Sequence, residues 1–142
     1  MKALILILLF TACVEFPTDS IQTGAYNGNW IGNVEGNILQ LNIQHEYSGT
    51  HGIKLSGNGQ LYWLGILWAV DVDNPVVVDG LLTCQIIIRD ANGDQNTDYV
   101  FTGYVREKTT YGFSIYLDRA ISQTFKMSEG TWNFPKKQLD IN

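Results

Sequence analysis

Ile53-Lys54-Leu55-Ser56-Gly57-Asn58-Gly59-Gln60-Leu61 alternates strictly, with apolar or small residues at odd positions and polar residues at even ones. Successive side chains of a strand point to opposite faces, so this pattern is that of a β-strand with one face buried and the other in water. The same period runs outward in both directions. Leu39, Leu41 and Ile43 alternate with Gln40, Asn42 and Gln44 on the N-terminal side. On the C-terminal side come Leu82-Cys84-Ile86-Ile88, opposite in parity to Thr83, Gln85 and Arg89 although Leu81 and Ile87 blur it, then Tyr99-Phe101-Gly103-Val105 with Thr102 and Arg106, Phe113-Ile115-Leu117 with Ser114 and Asp118, and Phe125-Met127 with Thr124, Lys126 and Ser128. Turn-forming pairs punctuate the runs: Ser48-Gly49, Asp73-Asn74-Pro75, Asp79-Gly80, Asn92-Gly93 and Glu129-Gly130. No stretch carries a helical period.

Short strands joined by short turns, each with one apolar face, must close on themselves or stack as two sheets. Closure removes exposed edges and hides the apolar face, so the expectation is an all-β fold. We expect a small antiparallel meander β-barrel of about eight to nine strands over residues 25–136. A two-sheet β-sandwich is the alternative. The glycines within strands, Gly32, Gly57, Gly59 and Gly103, suit tight bends in a barrel wall. Leu61 to Val72 is ambiguous. It is an almost continuous apolar run that reads equally as one long strand, a short helix plugging the barrel or an exposed contact segment.

The chain has 142 residues with 9 Lys and Arg against 14 Asp and Glu, a net charge of −5. A length of this order allows one domain, and 45% hydrophobic residues is enough to build a core. The acidic balance opposes nucleic-acid binding, which needs clustered cations on phosphates. Two cysteines cannot form a disulfide framework.

Ahead of the strands, Lys2 precedes an eight-residue apolar run, Ala3 to Phe10. That run is too short to cross a bilayer as a helix, which takes about 20 residues, and has the layout of a secretory signal. It ends in Leu9-Phe10-Thr11-Ala12-Cys13, which resembles the lipobox of bacterial lipoproteins. The resemblance implies removal of residues 1–12 as a lipoprotein signal peptide and lipidation of Cys13. Residues 13–24 then form a lipidated N-terminus and tether, and residues 137–142 a polar tail. It further implies a cell-envelope lipoprotein, anchored by lipid at the membrane surface. The outer membrane is favoured because Val14 is not the Asp associated with inner-membrane retention. An ordinary signal peptide or an N-terminal first strand is the alternative reading of the same residues.

Gly28-Asn29-Trp30 resembles the G-x-W that opens lipocalin and avidin-type barrels, and Thr97-Asp98-Tyr99 resembles the T-D-Y before a late lipocalin strand. The resemblance implies a calycin-like architecture in which Trp30 and Arg119 close one end through an indole–guanidinium contact. The pattern departs from the family after the last strand, where Gln123 to Phe134 reads as more strand than helix.

Chemistry-bearing residues are sparse. Asp90, Asn92, Asp94, Asn96 and Asp98 place an oxygen at every second position, as a hard cation such as Ca²⁺ requires. A hairpin loop turning on Asn92-Gly93 accounts for the same residues, and no metal or cofactor is expected. His45, Glu46 and His51 are an incomplete zinc set flanking a turn. Cys84 shares the parity of Ile86 and Ile88 and is expected to be a buried, inert thiol. Ser114 lacks the second glycine of a nucleophile elbow. No catalytic constellation emerges.

A non-catalytic binding module is therefore the expectation. Its site would be the barrel mouth, with Trp30, Trp63, Trp68, Leu64 and Leu67 contacting a small apolar molecule. The alternative is a protein-interaction or hydrolase-inhibitor module that docks an envelope protein through Leu61 to Val72. The aromatic content suits either a filled core or a ligand cavity.

Overall fold

The structure, a computed structural model, describes residues 20–50, 52–89, 95–118 and 122–131, with the backbone alone described for 95–100. Nine antiparallel strands follow in chain order: β1 Gln22–Thr23, β2 Gly28–Val34, β3 Asn37–Ser48, β4 Gly52–Trp63, β5 Ile66–Val78, β6 Leu81–Arg89, β7 Gln95–Thr109, β8 Gly112–Asp118 and β9 Gln123–Glu129. Each of β2 to β9 pairs with the next, and β9 pairs back onto β2 through Trp30↔Glu129 and Ile31↔Ser128. Eight strands thus form a closed barrel, and the sandwich alternative falls away. The two-residue β1 is an extra strand, paired with the end of β3 at Gln22↔Tyr47 and Thr23↔Glu46. β1 thus lies within the segment 13–24 read from sequence as a tether, and the barrel strands begin at Gly28.

The inward rows are the apolar parities read from the sequence. Leu39, Leu41 and Ile43 of β3, Leu61 of β4, Ile86 and Ile88 of β6, Phe101 of β7, Ile115 of β8 and Phe125 of β9 are essentially fully buried in one cluster. At about 25 cal/mol per Å² of apolar surface removed from water, such rows supply the main stabilising term. The outward rows carry Asn42, Gln44, Ser56, Asn58, Thr83 and Gln85. That arrangement is the inverse of a transmembrane barrel, whose outward face is an apolar band.

Among the described residues, three hairpins turn on an X-Gly pair with both residues at positive φ: Glu35-Gly36 (50°, 82°), Leu64-Gly65 (53°, 77°) and Asp79-Gly80 (51°, 77°). Such turns match the right-handed twist of the strands they join. Leu64-Gly65 resolves the ambiguous segment, since Leu61 to Val72 is the end of β4, a two-residue turn and the start of β5. Asp73-Asn74-Pro75, expected to be a turn, instead lies inside β5. The register slips there between Asp73 and Val76, and Asn74 sits at φ 46°. Pro75 has no N–H to donate, and a bulge lets the strand continue past it.

The meander leaves two distinct ends. The chain enters at one, which also carries the turns joining β3 to β4, β5 to β6 and β7 to β8. The opposite end carries the turns joining β2 to β3 and β4 to β5. These are called the entry end and the far end below.

Candidate functional site

The entry end is sealed by the chain itself. Between β1 and β2, the segment Gly24 to Asn27 turns inward and places Tyr26 across the bore. Its hydroxyl donates to the Gly80 carbonyl at 2.6 Å, on the turn joining β5 to β6. The Tyr26 carbonyl accepts from Trp30 Nε1 at 2.8 Å, and its amide donates to His45 Nδ1 at 3.2 Å. The phenol ring meets Phe113 edge-on at 5.1 Å and stacks with His45 at 5.8 Å. Lys108 Nζ lies 4.6 Å from the Tyr26 ring centroid, a cation–π contact. Burial pushes the Tyr26 hydroxyl above its usual pKa, partly offset by the Leu82 backbone.

His45 is buried beside Tyr26. Because Nδ1 accepts a hydrogen bond, the neutral ring carries its proton on Nε2, which has no partner among the described residues. Burial, reinforced by the positive charge of Lys108, lowers its pKa. Gly24 passes directly over the imidazole, where an added Cβ would collide with the ring. Within the zinc set considered from sequence, His45 faces the interior while Glu46, one residue on, faces out. His51 lies outside the described residues. Among the described residues no three His, Cys, Asp or Glu side chains converge as a metal would require.

The far end is different in character. Trp63 and Trp68 both face inward on β4 and β5, in the diagonal relation set by Leu61↔Trp68 and Trp63↔Ile66. Trp63 is buried and meets Phe101 edge-on at 6.1 Å, while Trp68 is partly buried against the core. Beyond them the hairpin runs on into water. Leu64, at the turn, is 74% exposed, and Ile66 is 41% exposed on the same face as Trp63. Leu67 is half-buried on the outward face opposite Tyr62.

The residues expected to line one mouth are therefore split. Trp63, Trp68 and Leu64 gather at the far end. Trp30 packs toward the entry end, with its ring 4.7 Å from Phe113. Its indole nitrogen is engaged by Tyr26, and Arg119, its expected partner, lies outside the described residues. Tyr26 and Ile66 had no distinguishing pattern in the sequence, because neither lies in a clean alternating run.

Of the oxygen-rich loop, Asp90, Asn92 and Asp94 lie outside the described residues, and Asn96 and Asp98 belong to β7, where the backbone alone is described. Cys84 is buried, and burial pushes its thiol pKa up to about 12. Ser114 is buried on β8.

On the outer wall, Tyr104 and Tyr116 stack at 5.5 Å with Arg106 above both rings, bordering a concavity of about 260 Å³. A second, polar concavity of about 310 Å³ lies over Asn42, Gln44, Ser56, Asn58 and Asp71. Both are open to solvent.

Comparison of the chain with family models, curated proteins and solved structures gave no match. The fold defines the protein as a closed eight-stranded antiparallel β-barrel with one added strand.

Proposed function

We propose that this protein is a lipid-anchored, non-catalytic binding module of the cell envelope, and that it engages a protein partner through the far-end hairpin Trp63 to Trp68. The lipid is placed on Cys13 by the lipobox-like Leu9 to Cys13. The observation that carries the binding surface is the hairpin tip. Leu64 stands exposed on the two-residue turn and Ile66 beside it at the start of β5, backed by the packed indole of Trp63. An exposed aliphatic tip on a rigid hairpin is a convex feature suited to a partner's concavity. The Tyr26 seal closes the entry end and favours this reading over deep ligand capture from that side.

A second reading is supported by Trp68, which faces inward yet is only partly buried. A small apolar molecule would then rest in the shallow mouth between Trp68 and Ile66.

Two arms test the proposal. A photoreactive amino acid at Leu64, in cells, is expected to give a discrete crosslinked protein that is lost with Ile66→Asp. A saturable change in tryptophan emission on titration with a fatty acid, lost with Trp68→Ala, supports the second reading instead. The absence of both signals would refute the far end as a binding surface.

A further inference from the structure

The large exposed apolar side chains are unevenly distributed over the barrel. Among the described residues, Leu64 and Ile66 are at the far end, and the others gather at the entry end on three successive hairpins and the incoming chain. Tyr47 and Ile53 pair across β3 and β4 just before their turn, on the continuation of the inward face past the rim. Val76 and Val78 face outward on β5 beside its turn to β6, because Val77 takes the inward position opposite Leu82. Tyr111, 87% exposed, is at the tip of the turn joining β7 to β8. Ile21 precedes β1 at the same end. These hairpins are spread around the circumference, so the apolar groups form an interrupted rim about the Tyr26 seal. They are not one patch shaped to a single groove.

The chain says what this rim meets. Resting on the lipid-anchor reading above, we infer that the entry end of the barrel lies against the bilayer surface, with its apolar rim seated among the lipid headgroups. Six residues separate Cys13 from Ser20, and the seven Cα–Cα steps between them extend at most about 25 Å. The barrel wall is longer than this tether can bypass. The twelve residues of β4 extend about 40 Å along the strand, or about 30 Å along the barrel axis at the usual tilt. A barrel anchored at Cys13 can rest its entry end on the membrane, while the far end is held a barrel length away.

The rim chemistry fits an interface between water and lipid. Aliphatic side chains enter the headgroup and upper acyl region to a depth of about 5–10 Å, and tyrosines sit at the boundary with the hydroxyl in water. The nearby charges are of both signs, with Glu46, Asp79 and Glu107 among Lys54 and Lys108. Without an excess of cations, attachment depends on apolar burial and not on anionic lipid. The same orientation points Leu64 and Ile66 away from the membrane.

The test uses the full chain on phosphatidylcholine vesicles, with an environment-sensitive nitrobenzoxadiazole probe on Ile53→Cys, Val78→Cys or Leu64→Cys. All three positions are exposed, whereas the native Cys84 is buried. In the acylated protein, rim probes should shift to the blue and be quenched about twofold or more by doxyl-labelled lipid, as expected at that depth. The Leu64 probe should stay as in water, and raising the salt should change neither result. Rim probes that remain as in water, or a Leu64 probe quenched as strongly as they are, overturn the inference. The mass of the N-terminal peptide reports acylation of Cys13 separately. If Cys13 carries no lipid, the anchor reading fails. The Cys13→Ser chain is then held on the same vesicles by an N-terminal hexahistidine tag and a nickel-chelating lipid. Rim quenching in that format supports the rim as a bilayer contact, and its absence refutes it.

Discussion

Replacing Tyr26 separates what its ring does from what its hydroxyl does. The side chain is fully buried, crosses the bore at the entry end, meets Phe113 edge-on and donates to the Gly80 carbonyl. Tyr26→Ala removes the whole ring from a site with nothing to fill it. Large-to-small aromatic substitutions of that kind cost about 3–5 kcal/mol. The lost edge-on geometry is included in that figure, and the lost hydroxyl bond adds about 1 kcal/mol. Tyr26→Phe keeps the ring and deletes only the donor. Gly80 lies in a surface turn, so water can satisfy its carbonyl, and the cost should be about 0.5–1.5 kcal/mol. The assay is equilibrium urea unfolding followed by tryptophan emission, reading the midpoint at constant slope. With a slope near 2 kcal/mol per M, the Ala variant should lose about 2–3 M and the Phe variant about 0.5 M. Against a total stability of about 5–15 kcal/mol, Tyr26→Ala removes a large fraction of the fold's margin. Equal losses in the two variants would refute the claim that ring packing dominates. An Ala variant as stable as the wild type would refute the seal itself.

Other outcomes follow from the same geometry. His45 has a folded-state pKa below that of the unfolded chain, so the unfolded state binds a proton first as the pH falls. Stability should decline below about pH 6.5 with a slope of at most about 1.4 kcal/mol per pH unit, until the folded-state pKa is reached. A His45→Gln variant should lose that limb, and urea midpoints between pH 5 and 8 check it. In a Cys13→Ser background, Cys84 should resist Ellman's reagent in the native state and react fully in urea, since its thiol is buried with a pKa of about 12. Rapid native modification would contradict that burial. The Arg89 Nε to Asp71 contact of 2.7 Å joins two partly exposed side chains, at 32% and 45%. Asp71→Asn should therefore cost no more than about 1 kcal/mol, as thermal unfolding would show.

Much of the fold is written in local pattern. Leu39-Leu41-Ile43 and Phe113-Ile115-Leu117 alternate with polar neighbours, and the inward rows of β3 and β8 are those residues. Cys84 follows its parity into the core. Where the pattern failed, a second constraint was acting. Leu61 to Val72 is apolar on both faces because its inward residues fill the far end while Leu64 and Leu67 face outward at the tip. A turn on Leu64-Gly65 is hard to anticipate, since a leucine at φ 53° is disfavoured in isolation and is held there by the pairing of Trp63 with Ile66. Asp73-Asn74-Pro75 has turn chemistry, yet the strand pairing on either side absorbs it as a bulge. Of the candidate site residues, Trp63, Trp68, Leu64 and Leu67 share one hairpin and were already neighbours in sequence. Trp30 shares only its residue type with Trp63 and Trp68, and its packing against Tyr26 and Phe113 separates it from them.

Short strands with one apolar face are legible in the sequence of single segments of this chain, because period-two burial is a local property of extended backbone. Closure of the barrel, the seal of Tyr26 across the bore and the gathering of apolar side chains at opposite ends were decided by tertiary structure. Those features join residues as far apart as Tyr26 and Gly80, or Ile31 and Ser128. Their positions follow from strand order and register, which no single segment contains.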